Sequence, residues 1–310
     1  GQRLLSRLRF KHLQLLLALR EGGSLRAAAG LMHLTQPALS KALGEIAAAF
    51  GAPLFIRTAR GLEPTPQGET AIRGAAMLLN ELAHLGQETS QQPAVTQLRI
   101  GAPPFVAQGY LPEVLSRLIA EHPHVRVQLQ EERVPLLVEC LLAGQLDALI
   151  TSYPTELPEA AGQPLRYEKL FDAAFTVIAP ADHPAGHAHT CDWEYLARQR
   201  WVLPTRSSML RRMMEEVFRR ESVMSPTPVI ESTSPFTNLQ LVKAGLGISA
   251  VPSASLRAAP ASLGVREVRA VPGISTGPVA LIYRGAVANP RVALLRSTLG
   301  LAASGETPAP

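Results

Sequence analysis

Residues 24–43 read SLRAAAGLMHLTQPALSKAL. Two short helical patterns flank Met32, His33 and Leu34, and neither is long enough to be stable alone in water. Ser24 and Thr35 are both favourable N-caps. The first helix is predicted from about Leu25 to Leu31. The second is predicted from Gln36, with Pro37 in its first turn, where a missing N–H costs nothing. Leu39, Leu43, Ile46 and Phe50 recur at spacings of four, three and four, which defines one buried face. Gln36, Ser40, Lys41 and Gly44 point elsewhere. The alanines at 27–29 allow close helix approach, and Phe10, Leu13, Leu16 and Leu17 upstream supply a third helix to complete the core. Two helices joined by a tight turn, with polar residues on the leading end of the second, form a helix-turn-helix. In such units the second helix enters the major groove of DNA. Gln36 can pair with adenine through two hydrogen bonds, and Ser40 can reach a base or a phosphate. A three-helix bundle with no nucleic-acid role has the same core pattern, so the neighbouring residues must decide.

Residues 53–65, PLFIRTARGLEPT, read as two short strands around Ala59-Arg60-Gly61, with Arg57 and Arg60 on and beside the turn. A basic hairpin directly after a candidate recognition helix is placed to grip phosphate or the minor groove. The charge distribution agrees. Residues 1–62 carry nine Lys or Arg against Glu21 and Glu45, a balance of +7 within a chain whose total is +5, so the remaining 248 residues sum to −2. A local basic surface is the electrostatic footprint of a polyanion.

The 310 residues allow two or three domains. With 46% hydrophobic and 18% charged residues the chain has ample core. No apolar run approaches the roughly 18–20 residues of a spanning helix. The leucine-rich start superficially resembles an export signal. Gln14 interrupts it, Arg20 and Glu21 end it, and no small-residue cleavage site follows. A folded amphipathic helix is expected there. Cys140 and Cys191 make no disulfide framework, which fits a reducing cytoplasm. Residues 66 to about 88 form one long helical pattern, capped by Thr65 with Pro66 at its first position. Ile72, Ala75, Ala76, Leu79, Leu82 and Ala83 make a stripe of three- and four-residue spacings, fit for a coiled-coil seam. The same stripe would also suit packing on the chain's own body; the length favours a partner helix. GQETSQQPAVTQ (86–97) reads as a hinge. From residue 98 strand-like and helical runs alternate, the signature of a mostly parallel sheet with helices on both faces.

The stretch from Leu8 to Glu69 resembles the LysR-type transcriptional regulators. It carries the alanines of the second helix, TQPALSKAL at the recognition helix, PLFIR opening the hairpin and TPQGE starting the long helix. The similarity extends over nearly the full chain. One departure is Ala47, where family members usually carry an acidic residue; it lies away from the DNA-reading end. The resemblance implies an α/β protein with an N-terminal winged helix-turn-helix (1–65), a long dimerising linker helix and hinge (66–92), and an effector domain (93–302) similar to periplasmic binding proteins. Its subdomain I is expected at about 97–162 and 268–302, subdomain II at about 163–267, and a disordered tail at 303–310. By position, Arg26, Thr35, Gln36, Pro37, Ser40 and Lys41 would form the DNA-reading surface, with Arg57 and Arg60 on the wing. Ile72, Ala75, Leu79 and Leu82 would form the dimer seam. The implied partners are double-stranded promoter DNA, a small-molecule effector, a second copy in a homodimer that assembles to a homotetramer, and RNA polymerase. No membrane contact is implied, and the implied location is the bacterial cytoplasm.

Ligands of open α/β sheets bind beyond the carboxyl ends of the strands. Four such places offer candidates: Pro103, Pro104 and Phe105; Thr151 and Ser152; Thr205, Arg206, Ser207 and Ser208; and Thr233 with Phe236. Hydroxyls and helix N-termini favour an anion such as a carboxylate, with Pro104 removing one donor. An aromatic acid or a sugar-derived metabolite would also suit. Arg206 is the candidate partner for an acidic effector. No cofactor is expected. The histidines of HPAGHAHTC (183–191) lack a helix-face or CxxC geometry, so no metal site is assigned. KAGLGISAVP has its Gly-x-Gly after a helix and is no dinucleotide fingerprint. The α/β half alone would also suit a solute-binding protein of transport or an enzyme. The first predicts an export signal and no DNA-binding unit. For the second, no pairing of nucleophile with base or of two carboxylates can be assigned. Deleting residues 1–90 separates these readings, since only a regulator loses its function with them.

Overall fold

The computed structural model describes residues 2–59, 61–90, 95–152, 165–206, 208–259, 263–275, 277–285 and 289–301. Arg60, Ser207, part of the hinge and the tail from 302 therefore lie outside the described residues.

The N-terminal stretch divides into α1 (Gln2–Arg7) and α2 (Phe10–Gly22) where one amphipathic helix was expected. Then come α3 (Leu25–Met32) and α4 (Gln36–Phe50). Ser24 Oγ accepts from the Ala27 N–H at 3.2 Å, and Thr35 Oγ1 accepts from the Ala38 N–H at 3.4 Å. His33 closes α3 in the left-handed region at φ 53°. Leu13, Leu15, Leu16 and Leu19 of α2 meet Ala28 and Ala29 of α3 and Leu39 and Ile46 of α4 in one apolar core. The expected faces need two corrections. Phe10 is exposed, and Leu43 and Phe50 are only half-buried, because Leu15, Leu19 and Ala49 take the interior positions.

Strands β1 (Phe55–Thr58) and β2 (Gly61–Pro64) pair antiparallel as the predicted hairpin. The hairpin is pinned to the α2–α3 turn: the Leu62 N–H donates to Gly23 O at 2.9 Å. Gly61 sits at φ +126°, and a Cβ there would stand 2.6 Å from that same carbonyl oxygen. Only glycine permits this approach.

Thr65 caps α5 (Pro66–Ser90), accepting from the Gly68 N–H and donating to Pro53 O. Ala71, Ile72 and Ala75 of this helix are buried in the winged unit's own core, and Leu79 packs against it. Ile72 and Ala75 are therefore unavailable to a partner helix, contrary to the expected seam. The reason is that the winged unit needs a lid over Leu16 and Leu54, which a stripe of spacings cannot distinguish from a partner. Leu78, Leu82 and Leu85 remain exposed on α5.

The remainder builds two five-stranded sheets among the described residues. The first comprises β3 (Thr96–Ala102), β4 (Val125–Glu131), β5 (Ala148–Ser152), β6 (Leu165–Ala173) and β14 (Gly277–Arg284), in the order β4-β3-β5-β14-β6. The second comprises β7 (Phe175–Pro180), β9 (Trp201–Leu203), β10 (Ile230–Glu231), β11 (Ile248–Pro252) and β12 (Val265–Val268), in the order β10-β9-β11-β7-β12. A short ribbon pairs β8 (Cys191–Asp192) with β13 (Ala270–Val271). Within each sheet four strands run in one direction and one runs against them, β14 in the first and β7 in the second. Because β6 pairs with β14, the chain leaves the first sheet after Ala173 rather than near 162, and it returns at Gly277. Helices α7 (Leu111–Glu121), α8 (Val134–Leu142) and α13 (Pro290–Thr298) pack on the first sheet, and α11 (Pro235–Lys243) and α12 (Ser253–Ala258) on the second. Helix α6 (Pro104–Gly109), which follows β3, reaches across to β11, α11 and α12, while α9 (Trp193–Ala197) lies against β8 and α10 (Met209–Arg220) follows β9. No described helix is long and apolar enough to cross a membrane.

Candidate nucleic-acid interface and ligand cleft

Arg26, Gln36, Pro37, Ser40, Lys41 and Arg57 are all exposed. Gln36 and Ser40 lie one turn apart on α4 and so share a face. None of Gln36, Ser40, Lys41 and Arg57 is held by a side-chain hydrogen bond or ion pair among the described residues. Leu39 and Ile46, fully buried on an adjoining side of α4, anchor the helix to the core while Gln36 and Ser40 stay exposed. Thr35 is also exposed, but its hydroxyl oxygen is engaged as the helix cap, so its structural role precedes any contact with a partner.

Between the two sheets lies a cleft of about 900 Å³. Pro103, Pro104, Phe105, Ser152, Thr205, Ser208 and Thr233 line it. Three other expected residues do not. Thr151 is fully buried in β5, pointing to the opposite side of the strand from Ser152. Phe236 is 64% exposed and does not line the cleft, while its backbone N–H donates to Gln108 Oε1 at 3.2 Å. Arg206 lines a separate recess of about 280 Å³ with Arg211 and Glu231. The turn before α10 carries Arg206 past the cleft and leaves Ser208 there as the N-cap. Phe105 lines the cleft but leans on the core, its ring 6.0 Å from that of Phe175.

A whole wall went unread in the sequence. Glu131, Glu132, Arg133, Val134, Pro135, Val138 and Glu139 line the cleft from the end of β4 and the first turns of α8. Strand β4 runs parallel to β3, so its carboxyl end opens on the same edge; the rule that picked out the other strand ends applies to EERVP equally. Arg212 and Asn238 line it from α10 and α11. Asn238 is 2% exposed, and its Oδ1 has no hydrogen-bond partner while its Nδ2 donates to Ser232 O. Gln108 bridges the two walls, donating to Glu131 Oε1 at 3.1 Å and reaching Ser234 Oγ at 3.5 Å. Prolines occupy the first turns of α6, α8 and α11, so free N–H donors are scarce at those helix starts. The cleft presents carboxylates and guanidiniums together rather than a simple anion cradle.

Comparison with known proteins identifies the two units of the chain. Residues 10–69 match the bacterial regulatory helix-turn-helix of the lysR family, and residues 91–302 match the LysR substrate binding domain. The chain is 31% identical over 224 residues to the transcriptional regulator GalR of Pseudomonas putida, covering 72% of this chain and 55% of that protein. It is 31% identical over 242 residues to the regulator GbpR of Azospirillum brasilense, covering 76% and 69%. The chain thus spans little more than half the length of the first of these relatives. Among solved structures, full-length OxyR of Pseudomonas aeruginosa superposes with a TM-score of 0.64 at 24% identity, over 95% of this chain and 98% of that one. Full-length CbnR in complex with its target DNA gives 0.60 at 20% identity, over 94% and 99%. At those identities the superpositions establish the fold.

Proposed function

The chain belongs to the LysR family of bacterial transcriptional regulators, and on that footing we propose that it reads promoter DNA with α4 and the wing under the control of a small molecule held in the 900 Å³ cleft. The family and the relatives are regulators rather than enzymes. The observation that carries the DNA-reading proposal is the outward, unengaged row Gln36, Ser40 and Lys41 beside the docked hairpin with Arg57. Gln36 supplies base readout, whereas Lys41 and Arg57 supply phosphate attraction. Control by the effector requires that it bind two arrangements of the protein unequally. The mixed charge of the cleft favours an effector that presents both donors and acceptors.

The assembly we propose is a homodimer through the exposed Leu78, Leu82 and Leu85 of α5, with Leu79 at the margin, paired into a tetramer on DNA. Two recognition helices then meet half-sites about one helical turn apart or a multiple of it. The site of action is the bacterial cytoplasm, where RNA polymerase is the machinery so regulated.

Arg57→Ala tests the wing. Each phosphate neutralised contributes about 0.9 to the slope of log affinity against log salt. The substitution is expected to reduce that slope by about one unit and to weaken cognate and random duplex alike, as read by fluorescence anisotropy over a salt series. An unchanged slope would mean that the hairpin does not touch the backbone.

A further inference from the structure

The second half of α5 rests on a charged patch of the same chain's first sheet. The Asn80 Nδ2 donates to Ala143 O at 2.8 Å. Glu81 stands 3.6 Å from the guanidiniums of Arg99 and Arg284 and 3.2 Å from that of Arg291. His84 Nε2 lies 2.7 Å from Arg99 Nη1. Beneath them Asp147, with its side chain fully buried, takes a two-pronged ion pair from Arg99. Close approach is built in: a Cβ on Gly144 would stand 3.0 Å from Met77 Cα. Three guanidiniums thus face two carboxylates, and Glu81 is the one that the linker helix brings. Lifting α5 away would leave the three guanidiniums with Asp147 alone among the carboxylates described at this patch, so Glu81 attracts the linker helix to it.

The elements that form this patch are the ones that line the cleft. Helix α8 begins there at Val134, Pro135 and Val138 and ends, about 13 Å on at helical rise, at the Ala143 carbonyl that receives Asn80. Strand β3 carries Arg99 at the patch and leads into Pro103 in the cleft. Asp147 immediately precedes β5, which ends at Ser152 in the cleft. A ligand that moves α8 at one end therefore moves the carbonyl under Asn80 at the other.

We propose that Asn80, Glu81 and His84 are positioning residues: they dock the linker helix, and with it the DNA-binding unit, onto the sensor of the same chain, and effector binding acts through α8 on this contact. The proposal rests on the regulatory reading above, but its test reads hydrogen exchange alone, so failure to bind DNA and failure of the coupling give different results. Coupling of this kind is reciprocal, so a change at the linker must be felt in the cleft.

His84 supplies a readout that plain packing does not have. To accept from Arg99, its Nε2 must be unprotonated. Burial lowers its pKa, and Arg99 and Arg291 lower it further against the pull of Glu81 and Asp147. Arg284 is the remaining charge on the patch that faces α5. Docking is therefore intact above the ordinary histidine value of about 6.5 and weakens as the pH falls through it, because the undocked imidazole takes the proton first.

The experiment is hydrogen exchange by mass spectrometry on the full-length chain, at about pH 7.5 and about pH 5.5, corrected for intrinsic rates. In Glu81→Gln, exchange is expected to rise about tenfold or more in residues 78–86 and also in α8, with α2 unchanged. Wild type is expected to lose protection in the same two segments at the lower pH, and His84→Gln to remain level between the two conditions. Should α2 also loosen in Glu81→Gln, Asn80→Ala, which removes one neutral hydrogen bond and no charge, decides by the same pattern at smaller amplitude. Effects confined to α5, or a pH step that persists in His84→Gln, would overturn the proposal.

Discussion

Asp147→Ala is expected to cost about 3–5 kcal/mol of folding stability, the range for breaking a buried ion pair by removing one partner. Asp147 is 1% exposed and accepts from the Arg99 backbone N–H, Nε and Nη2 at 2.8–3.1 Å, with Asn289 Nδ2 at 3.3 Å. Arg99 is itself 3% exposed, so alanine leaves its guanidinium buried without its main counter-charge. The loss should appear as a lowered urea midpoint of the effector domain. Burial on its own would raise the Asp147 pKa; the hydrogen bonds and charge of Arg99, with Arg291 behind, outweigh burial and hold it below the ordinary carboxylate range. The contribution is therefore complete above about pH 4 and lost as the pH falls through the lower folded value. Acid titration of the wild type should reproduce, below that range, what the alanine variant shows at neutrality. A variant as stable as wild type would mean that the surrounding arginines find water instead.

Gln36→Ala is expected to cost about 1–3 kcal/mol at a cognate operator, or roughly 5- to 150-fold in affinity, and to relax the base preference at one position of each half-site. Random duplex should bind the variant as it binds wild type, because Gln36 is uncharged and phosphate attraction is untouched. Its exposure and freedom from internal hydrogen bonds exclude a folding explanation for such a loss. Competition anisotropy against operator variants measures it. Equal losses on operator and random DNA would remove Gln36 from base readout.

The winged unit was legible because its signals are local. Ser24 and Thr35 cap the helices they were expected to cap, and Leu39 and Ile46 are fully buried. The hairpin register follows from the turn at Ala59 and Gly61. What escaped depends on distant parts of the chain. The Ile72 and Ala75 stripe looks the same whether a second copy or the chain's own α2 covers it, and only the fold decides for the latter. Thr151 and Ser152 are adjacent in sequence, yet strand alternation sends one into the core and one into the cleft. The EERVP wall was legible in principle from strand parallelism. The Arg99–Asp147 pair was not, since 48 residues separate its members and neither stands in a motif.

The central claim is sequence-selective binding of duplex DNA by a chain whose sensor is tethered behind it. Its most direct measurement is anisotropy of the full-length protein on a labelled duplex from the region upstream of its own coding sequence, against a scrambled duplex of equal composition, at fixed moderate salt. The account predicts a preference of at least about a thousandfold, lost when residues 1–90 are removed. Equal affinity for the two duplexes, with and without metabolites that stabilise the effector domain, would contradict it.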